Sequence, residues 1–233
     1  MKILALETAT EACSAALLID GAVRERFEVA PRAHARLLLP MLDGLLNEAD
    51  IKPGRLDAIA FGRGPGSFTG LRIAASVAQG IAFAAGLPVV PVSTLAALAH
   101  AGLQHDATAS LFCAIDARMN EVYWAAYAAD AAGIPTALCE EQVSAATAVS
   151  VPFGTRWYGA GSGWAAYPEA LEAHFGPALI GYDASALPHA ADIAQLAARD
   201  FAAGRAVPAE QALPVYLRNQ VVQQPNGRTG KGD

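Results

Sequence analysis

Three groups of residues could carry chemistry by their type and spacing. The first is Gly62-Arg63-Gly64-Pro65-Gly66-Ser67-Phe68-Thr69-Gly70-Leu71-Arg72-Ile73, a loop almost without β-carbons between an apolar run and a long helical stretch. Such a loop lets backbone N–H groups approach an anion, and the first N–H groups of a helix have no helical partner. Neither nucleotide-loop spacing is present, because Leu71 follows Gly70 where Lys-Ser/Thr would be needed, and Gly62, Gly64 and Gly66 simply alternate. Spacing alone favours a tight turn that packs strand against helix over a phosphate cradle. The second group is the carboxylates Glu7 and Asp116, each closing an apolar run. A lone acid at a strand end is more often a turn residue, and Thr8 and Thr10 are as readily turn formers as phosphate ligands. The third is Ser14, Ser67 and Ser93, of which none lies in Gly-x-Ser-x-Gly and none has a histidine close in sequence. His34, His100, His105, His174 and His189 form no His-x-x-x-His pair, and Cys13, Cys113 and Cys139 form no Cys-x-x-Cys, so no metal site is expected.

The elements that position these groups follow from periodicity. Lys2 to Glu7, Cys13 to Ile19 and Ala22 to Val29 read as three antiparallel strands, with Asp20-Gly21 as a hairpin turn. Leu38, Met41, Leu42, Leu45 and Leu46 form one helical stripe within 33–49. Strand 56–61, helix 70–85, strand 87–92 and helix 94–101 complete an order βββαβαβα, that of a ribonuclease H-like module. Pro65-Gly66 fits a turn whose second central residue has φ > 0, and Ser67 or Thr69 can cap the helix that follows. A polar break at Gln104 to Thr108 divides the chain into a first lobe, 1–105, and a second, 106–218, which opens on a hairpin of 110–116 and 121–128. Two hairpin-led lobes suggest a duplicated α/β fold of the actin, Hsp70 and sugar-kinase type. Residues 129–150 are alanine-rich with few cues, 188–203 is a helix, and 219–233 reads as a disordered tail.

Composition narrows the function classes. The net charge of −6, from 16 Lys+Arg against 22 Asp+Glu, argues against a broad basic face for unaided nucleic-acid binding. Three scattered cysteines read as buried small hydrophobes in a reducing compartment. The N-terminus is too short in apolar residues for a signal peptide, and Gln79, Pro88 and Pro91 interrupt the most apolar stretch. A cytoplasmic protein without a membrane partner is expected.

Several segments together resemble the bacterial TsaB (YeaZ) family: Ile3 to Ser14, His34 with Leu38-Leu39-Pro40, Gly64 to Ile73, Val92-Ser93-Thr94-Leu95, Asp116-Ala117-Arg118-Met119 with Glu121-Val122-Tyr123, and Tyr216-Leu217-Arg218. The most specific is Gly64-Pro65-Gly66-Ser67-Phe68-Thr69-Gly70-Leu71-Arg72. The resemblance implies a subunit that makes no chemistry itself but binds and organises its paralogue TsaD, which transfers threonylcarbamoyl to the adenosine beside the anticodon of tRNAs reading codons that begin with A. It further implies the ATPase TsaE as a partner, a homodimer when TsaD is absent, and tRNA contact only through the complex. TsaD-type enzymes place metal-binding histidines where this chain has Val92-Ser93-Thr94-Leu95. Acids near a nucleotide in this superfamily correspond to Glu7 and Asp116, and the family often has Asp-Thr-Ser where Glu7-Thr8-Ala9 stands.

The expected partner surface comprises His34, Leu38, Met41, Leu42, Leu45, Arg72, Ala75 and Ala78, with His34 either orienting its helix or marking that surface. The residues expected near a nucleotide are Glu7, Thr8, Gly64, Gly66, Ser67 and Asp116. No cofactor is expected to be tightly bound, while the joint with TsaD is open to ADP or ATP. The competing functions are a small-molecule kinase or a nucleotide-binding regulator of the same superfamily. A kinase needs a base and Mg²⁺-binding acids, and the second lobe offers Asp116-Ala117-Arg118 in place of Asp-x-Gly.

Overall fold

Alternating apolar residues bounded by a two-residue turn build the first sheet. In the computed structural model, which describes residues 1–105, 109–152 and 156–218, strands β1 (Lys2–Glu7), β2 (Ala12–Ile19) and β3 (Ala22–Val29) form an antiparallel meander. Asp20 and Gly21 both take positive φ in the turn, as a two-residue hairpin requires. Helix α1 (His34–Glu48), strand β4 (Ala58–Gly64), helix α2 (Phe68–Ala85), strand β5 (Val89–Ser93) and helix α3 (Thr94–His105) follow. Strands β4 and β5 add in parallel beside β1, giving the order β3-β2-β1-β4-β5. The second half contributes β6 (Ser110–Arg118), β7 (Glu121–Ala129), β8 (Pro135–Ala137), β9 (Gln142–Ala145), β10 (Trp157–Ala160), α4 (Ser162–Ala166), α5 (Pro168–Phe175), β11 (Leu179–Asp183) and α6 (Ala190–Ala202). Its sheet runs β11-β10-β6-β7-β8, with β9 on β7. The fold is thus the mixed α/β, two-sheet architecture of the ribonuclease H-like type. The expected tail, 219–233, lies outside the described residues, as does 106–108 of the expected lobe break.

Both faces of the first sheet are covered, and the two-residue pleat sorts its side chains. Leu4, Leu6, Leu17, Ile59 and Phe61 point to α1 and α2, while Ile3, Ala5, Ala58, Ala60 and Val90 point to the other side. That other side is closed by α3 and by α6, whose Ile193, Ala194 and Ala197 are fully buried there. A helix from beyond the expected boundary at 105/106 therefore completes the core of the first sheet. The second sheet has its own aromatic core, in which Phe112, Trp124, Trp164 and Phe175 meet at centroid distances of 5.0–6.1 Å. Cys13 and Cys113 are buried and Cys139 only partly so.

The expected surface stripe is internal. Leu38 and Leu45 are each 1% exposed, and Met41, Leu42, Ala75 and Ala78 are likewise buried against the sheet. One sheet face needs both helices to cover it, and the alanines of α2 let that helix approach closely. Two local expectations also shift. Strand β4 begins later than expected and absorbs Gly62 to Gly64, and the positive φ falls not at Gly66 but at Gly64 (φ 103), beside a register shift in the β4–β5 pairing between Gly62 and Gly64.

Candidate functional site

The glycine loop faces the β6–β7 hairpin and α4 across a cleft of about 840 Å³. Ser67 caps α2, its hydroxyl accepting from the Gly70 N–H at 3.4 Å. The other loop contacts are internal. The Ser67 N–H donates to the Ala9 carbonyl at 2.7 Å, and the Thr8 hydroxyl donates to the Gly70 carbonyl at 2.8 Å. A β-carbon on Gly66 would lie 2.5 Å from the Ala9 oxygen, one on Gly70 1.9 Å from the Thr8 oxygen, and one on Gly62 1.9 Å from a Glu7 carboxylate oxygen. These three glycines are needed because the end of β1 and the turn after it lie directly on the loop.

The two acids are similarly engaged. Glu7 is buried, one carboxylate oxygen accepting from the Ala9 N–H at 2.5 Å and the other from the Thr94 hydroxyl at 2.9 Å. Burial outweighs these bonds and pushes its carboxyl up to about 7. Asp116 holds the β6–β7 turn: it accepts from the Arg118 N–H at 2.8 Å and the Tyr167 hydroxyl at 3.2 Å, and pairs with the Arg118 guanidinium at 2.8 Å. Those bonds support three successive left-handed residues, Arg118, Met119 and Asn120. Of the residues expected near a nucleotide, Gly66, Ser67 and Asp116 line the cleft, whereas Glu7, Thr8 and Gly64 lie behind its wall.

The Glu7 carboxyl has a measurable consequence. The unfolded chain releases this proton near 4.5 and the folded chain near 7, so folding retains a proton across that window and stability falls as pH rises through it. The full loss is about 3 kcal/mol. His189, raised by its bond to Glu25, adds to the same trend, since its contribution is complete below 6.5 and is lost as pH rises through its folded value. Chemical denaturation from pH 4.5 to 8 should show this decline, and Glu7→Gln should flatten it and exceed the parent in stability above pH 7. An unchanged slope in that variant would refute the assignment.

The serines and histidines are also in structural use. Ser14 accepts from the Ala190 N–H at the start of α6 (2.9 Å), Ser67 caps α2, and Ser93 accepts from the Ala96 N–H at the start of α3 (3.0 Å). His34 donates from Nε2 toward the Thr10 and Ala12 carbonyls at 2.9 and 3.1 Å, tying α1 to the turn after β1, which is the orienting role. His100 pairs with Asp192 at 2.6 Å. Among the described residues no three of His, Cys, Asp and Glu gather as metal ligands.

Features that sequence reasoning missed bridge the lobes. Arg63 forms a bidentate pair with Glu141 at 2.9 and 3.2 Å, and Ser93 donates to the same carboxylate. Its signal was weak, since Arg63 stands amid glycines and Glu141 in a stretch without periodicity. On the outside, α2 exposes Phe68, Thr69, Arg72, Ser76, Gly80, Phe83 and Ala84. A β-carbon on Gly80 would meet nothing within 4 Å. Helix α2 is long and apolar enough to cross a membrane by length and composition, yet its Ala74, Ala78 and Ala82 pack in the core.

Residues 27–222 match the family described as TsaD: tRNA N6-adenosine threonylcarbamoyltransferase. The tRNA threonylcarbamoyladenosine biosynthesis protein TsaB of Escherichia coli (strain K12) is 43% identical over 225 residues, covering 95% of this chain and 96% of that protein. The protein of the same name in Haemophilus influenzae is 38% identical over 229 residues, 95% of either chain. YeaZ from Pseudomonas aeruginosa superposes with a TM-score of 0.86 at 48% identity, over 93% of this chain and 99% of that one.

Proposed function

The chain belongs to the TsaB family, and from that membership we propose that it is a noncatalytic subunit that binds and organises TsaD for threonylcarbamoyl transfer to the adenosine beside the anticodon of tRNA. One observation carries this reading: every acid, serine and described histidine considered for chemistry is bonded within the fold, while α2 turns Arg72, Ser76, Gly80, Ala84 and the largely exposed Phe83 to solvent. The first lobe supplies the docking face, centred on the outward residues Arg72, Ser76 and Gly80 and not on the buried stripe of α1. The second lobe is degenerate and braces the first. The same face serves self-association when TsaD is absent, so the two assemblies exclude one another. TsaE joins the pair, tRNA is met only through the complex, ADP or ATP sits at the joint with TsaD, and the assembly works in the cytoplasm.

A glutamate at Ser76 or Gly80 places an unpaired charge in the centre of that contact. Affinity for purified TsaD should fall at least about 30-fold, with the far-UV circular dichroism and thermal midpoint of the monomer retained. Co-elution with TsaD at parental affinity would overturn the proposal. ATP turnover or phosphoryl transfer to a small molecule by the chain alone would favour the kinase reading.

A further inference from the structure

The segment 212–218 holds one arginine in place. Residues 212–218 run along α2: the Gln79 amide donates to the Ala212 carbonyl at 3.1 Å, the Val215 N–H donates to the Arg63 carbonyl at 2.8 Å, and Arg218 pairs with Glu121 of the second lobe. Between these anchors Tyr216 accepts from Arg72 Nε at 3.2 Å. Phe68, one turn earlier, lies under the same guanidinium with its ring centre 3.7 Å from Cζ, and the two rings are 5.3 Å apart. Among the described residues Arg72 has no ion-pair partner, and its terminal nitrogens Nη1 and Nη2 have no hydrogen bond. A guanidinium fixed by two aromatic rings and one Nε bond has lost most of its rotamer freedom and keeps the end-on fork that matches a carboxylate.

Resting on the subunit reading, we propose that Arg72 is the anchoring contact of the α2 interface, taking a carboxylate side chain of the protein that docks there, and that Tyr216 and Phe68 are positioning residues that hold it ready. The neighbours of Arg72 decide between a protein and RNA. Ser76, Gly80 and Ala84 follow it at intervals of four on the exposed face of α2 and carry no charge. RNA affinity rests on several phosphate contacts, whereas Arg72 is the single cation of α2, on a face that otherwise carries small residues and the exposed Phe83, which suits one buried ion pair between proteins.

Binding of purified TsaD, measured by calorimetry at several salt concentrations, tests this with the full-length chain. Arg72→Ala should weaken binding about 30-fold and Arg72→Lys nearly as much, since an ammonium lacks the fork. Tyr216→Phe, which keeps the ring, should cost about fivefold. A merely structural Tyr216 would act independently of Arg72, so the deciding readout is a double-mutant cycle in which Tyr216→Ala has little further effect once Arg72 is alanine. Additive losses, or Arg72→Ala at parental affinity, would overturn the inference while leaving the subunit reading intact. Normal assembly with weakened tRNA binding by the assembled complex would overturn it in favour of a phosphate contact. Failure of the parent chain to bind TsaD would overturn both.

Discussion

Replacing Gly70 by alanine is expected to destabilise the protein by about 3 kcal/mol or more, a large share of the margin by which a domain is folded. The new methyl would lie 1.9 Å from the Thr8 carbonyl oxygen, a backbone atom that cannot rotate away. Thr8 is fixed twice, by β1 in the sheet before it and by its own hydroxyl bond to the Gly70 carbonyl, so relief requires lifting the whole turn off α2. Gly66→Val should act alike, because its β-carbon would meet the Ala9 oxygen at 2.5 Å. Gly80→Ala has the opposite sign: its side is open, and a helix-interior alanine gains about 0.5–1 kcal/mol over glycine. Urea unfolding followed by circular dichroism checks all three. A parental midpoint for Gly70→Ala would show that the turn does not rest on the loop as described.

Leu45→Glu is expected to unfold the chain outright. Leu45 is 1% exposed and sits in the core shared by α1, α2 and the first sheet, so the substitution loses an apolar side chain and strands a carboxylate without a partner. The combined penalty is about 4 kcal/mol or more. Soluble expression, proteolytic resistance and the thermal transition should all collapse, in contrast to the folded monomers expected for charges at Ser76 or Gly80. A folded, monomeric Leu45→Glu protein would place that side chain on the surface after all.

The contrast between Leu45 and Ser76 marks where sequence stops being informative. Local signals were sufficient for the first lobe: the Asp20-Gly21 turn, the alternation of β1 to β3 and the Ser67 cap are each legible within a few residues. The glycine loop was legible as a connection from strand to helix, since an apolar run precedes it and a serine able to cap the helix follows. The amphipathic stripe of α1 was legible too, but a stripe says only that one side is buried. What buries it depends on how much sheet each helix must cover, which is a property of the assembled layers. The same limit hid the contacts between distant segments. Arg63 and Glu141 are 78 positions apart, and Arg72 and Tyr216 are 144 apart, so no window of sequence joins them. Helix α6 was recognised by its periodicity, while its place on the first sheet was not, because an apolar helix face fits either sheet equally well. Strands β8, β9 and β11 escaped notice because they span three to five residues and are largely half-exposed, leaving too little alternation to read.

That placement of α6 bears on how the protein is made. A chain emerging from the ribosome exposes β1, β2, β4 and β5 early, with α1, α2 and α3 soon behind them. One side of the sheet still lacks Ile193, Ala194 and Ala197, which seal it in the finished molecule. The nascent first half therefore carries an open apolar surface through the synthesis of nearly a hundred further residues, and the part of the protein that begins first is the last to be closed.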